Sequence, residues 1–195
     1  MSTKKRVAIL ISGRGSNMTA LIDATKASDY PAEIVGVLSN RAAAPGLEIA
    51  AARGIATASL AQSRFPSRDM FEDTMTQVLE SWETEYVCLA GFMRILGEDF
   101  VRHWQGRIIN IHPSLLPAYR GLHTHERALA DGVAEHGCTV HFVTPGLDEG
   151  PAILQACVPV EPGDTPESLA ARVLVEEHRL YPEALRLLAS GLAHL

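Results

Sequence analysis

Asn110 and His112 stand two residues apart in the run Ile108-Ile-Asn110-Ile-His112, with Pro113 following directly and Pro117 closing the stretch IINIHPSLLP. In an extended strand positions i and i+2 lie on the same side, so both side chains face one surface. An Asn amide is a neutral donor able to hold a developing oxyanion, and an imidazole gives or takes a proton near neutral pH. The prolines restrict the backbone as it leaves the strand, which would hold the imidazole in one place. The other reading of His112 is a buried, hydrogen-bonded histidine that only packs. A second polar cluster, Thr144-Pro145-Gly146-Leu147-Asp148-Glu-Gly-Pro151, weighs against it. An Asp148 carboxylate within reach of His112 would orient the ring and favour its charged form. The same composition equally describes a β-turn in which Asp bonds locally.

Three further segments carry polar or special residues. Ser12-Gly-Arg14-Gly15-Ser16-Asn17 joins an apolar run to a helical pattern, and a Gly-rich turn at a helix start offers free N–H groups and a positive dipole end to an anion. The dinucleotide fingerprint fails, because Met18 stands where a third Gly is needed and Ser39-Asn40 ends the second apolar run where an acid is needed; the P-loop GK[ST] is also missing. The turn then serves a single phosphate on a small metabolite, or it is a tight turn capped by Asn17. Gly91-Phe-Met93-Arg94-Ile95-Leu96 reads equally as a slot for a flat ring and as core packing. Glu176-Glu177-His178 reads as a solvated helix face, with an arm reaching back to a cleft as the alternative. His123, His125, His136 and His141 are irregularly spaced without HExxH or Cys-rich partners, so no metal is expected.

Such groups need a scaffold. Apolar runs at 6–12, 33–39, 56–60, 86–91 and 107–111 alternate with helical periodicity at 17–27, 46–53 and 68–82. Continuous apolar strands separated by helices predict a parallel sheet covered on both faces, hence a doubly wound α/β unit with right-handed crossovers. Ligands in such sheets sit beyond the carboxyl ends of the strands, where the residues above fall. After Pro117 the pattern becomes a helix over 122–131, strands at 138–144 and 152–160 in a hairpin or mixed-sheet addition, and a helix starting at Asp164-Thr-Pro-Glu167. That closing helix is expected to reach about residue 188 with a break near Pro182.

With 195 residues, 47% hydrophobic and 21% charged, the chain reads as one domain: a phosphate-binding half at 1–115, and 116–195 completing the site. The net charge of −6 argues against nucleic-acid or membrane-surface partners, while a small anion in a local basic pocket stays compatible. The start MSTKKRVAILIS reads as a first strand rather than a signal peptide, and no apolar stretch approaches the roughly 20 residues of a membrane span, so a cytoplasmic location is expected. Cys88, Cys138 and Cys157 are far apart in apolar runs and read as buried reduced thiols.

Taken in order, SGRGSN at 12–17, AGFMRIL at 90–96, INIHPSLLP at 109–117, GLHTH at 121–125, the 136–143 strand, LDEGP at 147–151 and Glu177-His178 resemble the phosphoribosylglycinamide formyltransferase family, folate-dependent enzymes of purine biosynthesis. The resemblance spans nearly the whole chain. It implies a Rossmann-like fold and transfer of a formyl group from 10-formyltetrahydrofolate to the amino group of phosphoribosylglycinamide, without a metal. It implies Asn110, His112 and Asp148 as the catalytic set, Gly15, Ser16 and Asn17 on the substrate phosphate, and Glu177 on its ribose or glycinamide portion. It further implies a folate pocket lined by Arg68, Met93, Arg94, Ile95, Leu96, Asn110, Thr144, Pro145, Gly146, Leu147 and Asp148. Arg14, Ala118, Arg120 and Glu176 depart from the family pattern. Two related activities, methionyl-tRNA formyltransferase and formyltetrahydrofolate hydrolase, would carry an additional domain, so the length disfavours them, with the hydrolase kept as an alternative. A non-catalytic phosphometabolite-binding module would keep the Gly turn and need neither Asn110 nor Asp148.

Overall fold

The structure is a computed structural model that describes residues 4–195, so the first part of the basic flank before the opening strand lies outside the described residues. Five parallel strands come first: β1 (Lys5–Ile11), β2 (Ala32–Ser39), β3 (Ala56–Ser59), β4 (Tyr86–Leu89) and β5 (Ile108–His112). Helices α1 (Ser16–Thr25), α2 (Pro45–Ala51), α3 (Arg68–Ser81) and α4 (Glu98–His103) connect them. Helix α5 (Thr124–Ala130) precedes β6 (Glu135–Phe142) and β7 (Ala152–Pro159), and α6 (Pro166–Ala189) closes the chain. The sheet order is β3-β2-β1-β4-β5-β6-β7, with β6 antiparallel to β5 and β7 antiparallel to β6.

Strand β1 shows why the pattern is continuous rather than alternating. Val7, Ile9 and Ile11 pack with α1 and α6, while Ala8 and Leu10 pack on the opposite face with Phe71, Met75, Leu79 and Trp104. A strand buried on both faces has no polar side to show. Its neighbours are β2 and β4, so the connections diverge beside it and open a crevice at the carboxyl ends. There the Ser12 N–H donates to the Gly91 carbonyl at 3.1 Å, joining the first turn to the loop after β4.

Two elements differ from expectation. Helix α4 has only 6 residues, too short for an apolar period to register, yet it seats Phe100, Val101 and the following Trp104 in the core. Helix α6 runs through Pro182 without a break over 24 residues. Proline costs a helix one hydrogen bond and some local crowding, but buried Leu180, Tyr181, Ala184 and Leu185 on both sides hold the helix against the sheet. Tyr30 also donates its hydroxyl to the Pro182 carbonyl at 2.6 Å. Cys157 is the exception among the thiols: it lies exposed on β7, whereas Cys88 and Cys138 are buried.

One buried phenol sets the sheet beside the site. The Tyr181 hydroxyl lies 2.9 Å from the Leu89 carbonyl and 3.1 Å from that of Ile109, bridging β4 and β5 immediately before Asn110. Burial pushes this phenol well above its ordinary pKa, so it stays a neutral donor. Among the described residues no helix is long and apolar enough to cross a membrane.

Candidate active site

His112, at the end of β5, is buried, and its two ring nitrogens meet different partners. Its Nε2 lies 2.9 Å from the Tyr119 carbonyl, and a carbonyl can only accept, so Nε2 carries a proton. Its Nδ1 faces Asp148 Oδ2 at 3.5 Å, an ion-pair separation rather than a tight hydrogen bond. The ring therefore donates on one side and faces a carboxylate on the other. Asp148 is presented by a left-handed backbone, φ 51°, and its Oδ2 accepts the Gly121 N–H at 2.9 Å. A non-glycine residue in that region is sparsely populated and is held by its surroundings. The segment 144–151 therefore both makes a turn and aims its carboxylate at His112.

Asn110 has a partner absent from the catalytic set read in the sequence. The antiparallel register of β5 on β6 sets it opposite His141, whose Nε2 lies 3.2 Å from Asn110 Nδ2. His141 Nδ1 donates to the Phe142 carbonyl at 2.8 Å, and burial lowers the pKa of the ring. Neutral His141 thus accepts from the amide and fixes its orientation, leaving the second amide N–H free. His141 Nε2 is also 3.8 Å from Asp148 Oδ1, which completes a cluster of four side chains. Alternation along β6 was legible in CTVHFVT, but the cross-strand register was not.

The anion turn and α6 meet at Asn17. Gly15 has φ 73° and caps α1 without a side-chain bond, so among the described residues the first N–H groups of the helix have no side-chain acceptor. Asn17 Nδ2 donates to Glu177 Oε2 at 2.7 Å, while Asn17 Oδ1 is buried without a partner among the described residues. Glu177 is buried, and its carboxyl pKa is raised by that burial. The solvated-face reading is therefore wrong for Glu177: Leu169, Val173, Glu177, Leu180 and Ala184 form one inward stripe at helical spacing. Glu176 faces outward and pairs with Arg179 at 2.7 Å. Of the other family departures, Arg14 is an exposed cation on the anion turn, the Ala118 carbonyl accepts from Ser114, and Arg120 pairs with Glu149 at 2.8 Å.

These groups share a cleft of about 1000 Å³ lined by Asn17, Asn110, His112, His141, Asp148 and Glu177, with Met93, Arg94, Ile95, Leu96 and Thr144, Pro145, Gly146 and Leu147 as walls. Met93 (61% exposed), Ile95 (70%), Leu122 (71%) and Leu147 (52%) all present apolar surface to it, which suits a flat apolar ligand. Gly15 and Ser16 stand beside this cleft rather than in its lining, and Arg68 lies apart from it. Arg68 opens α3 in a neighbouring depression of about 590 Å³, its Nε 4.0 Å from Glu72 Oε1. Among the described residues no group of three or more His, Cys, Asp or Glu is placed to hold a metal.

His125 also lines the cleft, and its Nδ1 lies 3.2 Å from Nε2 of buried His136. Burial lowers both pKa values, that of His136 to about 4. The folded protein keeps these rings neutral, so the unfolded chain binds protons first as the pH falls. Stability is then present above the unfolded histidine value of about 6.5 and is lost as the pH falls toward 4, by roughly 2 kcal/mol. Urea unfolding at pH 7 and pH 4.5 should show a smaller acid loss for His136→Gln than for the unmodified chain. Equal losses would contradict the assignment.

A doubly wound sheet that carries an anion turn after β1 and an amide, imidazole and carboxylate beyond β5 defines an α/β enzyme with its chemistry at the strand ends. The chain belongs to the formyl transferase family, whose model matches residues 5–185. It is 49% identical over 185 residues to phosphoribosylglycinamide formyltransferase of Escherichia coli (strain K12), covering 95% of this chain and 87% of that protein. It is 53% identical over 190 residues to the trifunctional purine biosynthetic protein adenosine-3 of Drosophila pseudoobscura pseudoobscura, covering 96% of this chain and 14% of that much longer relative. The crystal structure of phosphoribosylglycinamide formyltransferase from Brucella melitensis superposes with a TM-score of 0.93 at 53% identity, over 97% of each chain.

Proposed function

We propose that this chain transfers the formyl group of 10-formyltetrahydrofolate to the amino group of phosphoribosylglycinamide in purine biosynthesis. The carrying observation is that Asn110, His112 and Asp148 open into the same cleft as Asn17 and Glu177. The open N-terminus of α1, with Gly15, Ser16 and Asn17, takes the substrate phosphate. Glu177 and the unpartnered Asn17 Oδ1 accept hydrogen bonds from the ribose or glycinamide portion. The exposed apolar faces of Met93, Ile95 and Leu147 fit the flat ring of the folate, with Arg94, Leu96 and the 144–148 segment around it. Arg68, outside the cleft, is left to meet the charged tail of a folate that extends past the wall.

In this reading the substrate amine adds to the formyl carbon, and the carbonyl oxygen becomes an oxyanion. The free N–H of Asn110 and the His112 ring stabilise that charge, and as the bond from the formyl carbon to the folate nitrogen breaks, His112 helps pass the proton lost by the attacking amine to that departing nitrogen. Asp148, 3.5 Å from Nδ1, orients the ring. Binding both reactants in one cleft turns their encounter into a near-unimolecular step, which contributes several kcal/mol.

The test is folate release from 10-formyltetrahydrofolate with and without phosphoribosylglycinamide. Release that requires the glycinamide substrate is expected. Release that ignores it would indicate a hydrolase, and no release in either case a binding module.

A further inference from the structure

The apolar wall of the cleft, residues 92–97, follows β4 but belongs to no strand or helix. Among the described residues its backbone N–H groups make two hydrogen bonds, both to buried side chains from elsewhere in the fold. The Met93 N–H donates to Ser12 Oγ at 2.7 Å, and the Gly97 N–H donates to Glu72 Oε1 at 2.8 Å. The Ser12 hydroxyl is itself committed, donating to Asn40 Oδ1 at 2.6 Å, so its oxygen is free to accept from Met93. Glu72 sits so close to the wall that a Cβ at Gly97 would come 2.5 Å from its Oε2, and the carboxylate would have to move aside to admit one. Between the two anchors, Met93, Arg94 and Ile95 face outward, and the buried side chains of Phe92 and Leu96 root the wall in the core.

We propose that Ser12 and Glu72 are positioning residues that suspend this wall at its two ends and thereby set the register of the cleft for the folate. Naming the folate as the ligand rests on the function proposed above. Ser12 also precedes the anion turn, and its N–H is bound to Gly91, so one residue fixes the turn and the wall relative to each other. Losing either acceptor leaves a backbone N–H unsatisfied in a partly or fully buried place, which is costly enough to loosen the wall. Neither side chain lines the cleft: Ser12 acts through the wall, and Glu72, which also stands beside Arg68 in the neighbouring depression, reaches the wall through the Gly97 N–H.

The test compares the unmodified chain with Ser12→Ala, Glu72→Ala, Ser12→Thr and Glu72→Gln, the last two retaining an acceptor oxygen. Amide exchange resolved to Met93 and Gly97 is measured alongside kcat and both KM values. In each Ala variant the amide it served should exchange about tenfold faster, with residues 108–112 unchanged. The KM for 10-formyltetrahydrofolate should rise about tenfold, with kcat and the KM for phosphoribosylglycinamide within about twofold. Thr and Gln should restore both readouts. Unchanged exchange in the Ala variants, acceleration shared by the whole sheet with matched losses in all kinetic constants, or failure of Thr and Gln to restore would each overturn the proposal. Should the unmodified chain show no turnover, the proposed function fails, and the exchange rates still decide whether the two side chains hold the wall.

Discussion

His112→Ala is expected to lower kcat for formyl transfer by about three orders of magnitude while leaving the KM for phosphoribosylglycinamide within a fewfold of its starting value. In the proposed mechanism the ring supplies two things that Ala cannot: a polar group at the developing oxyanion and help in moving a proton to the leaving nitrogen. Neither contributes much before the reaction begins, so the loss falls on kcat. In the proposed reading the α1 turn holds the phosphate and Glu177 the ribose or glycinamide portion, and neither is hydrogen-bonded to His112. Asp148→Asn should follow the same pattern less severely, because the amide keeps an oxygen to accept the Gly121 N–H and loses only the charge facing Nδ1. Steady-state kinetics with each substrate varied in turn read this directly. A His112→Ala variant with near-unaltered kcat would remove the imidazole from the chemistry.

Asn110→Ala should cost about two to three orders of magnitude in kcat, the range for removing one oriented donor from an oxyanion site. The structure adds a second expectation. His141 fixes the Asn110 amide through Nε2, and with the amide gone this ring nitrogen loses its donor at 3.2 Å. A smaller, separate loss is then expected for His141→Phe, which leaves Asn110 in place but free to turn. Combining His141→Phe with Asn110→Ala should cost no more than Asn110→Ala alone, because His141 acts only through the amide. Additive losses would mean that His141 touches the reacting atoms itself.

The central sheet was readable because both of its faces are buried: runs such as VAILI at 7–11 admit no polar position, and the helices between them keep their own period. The pairing of Asn110 with His112 was readable for the same reason, since a strand's alternation is local. What stayed hidden depends on contacts between distant segments. His141 enters the site through the register of β5 on β6, and Ser12 reaches Met93 across 81 positions of the chain. Glu177 is the intermediate case: its place on the stripe of Val173 and Leu180 is in the sequence, but two adjacent acids read as solvent-facing until the α6 face is known. The unbroken α6 at Pro182 shows packing outweighing a local preference.

The most direct measurement of formyl transfer follows the carbon itself. With an isotopically labelled formyl group on 10-formyltetrahydrofolate, a single turnover with phosphoribosylglycinamide should place one label on the glycinamide nitrogen for each folate released. Label appearing as free formate, with the glycinamide substrate recovered unmodified, would contradict transfer.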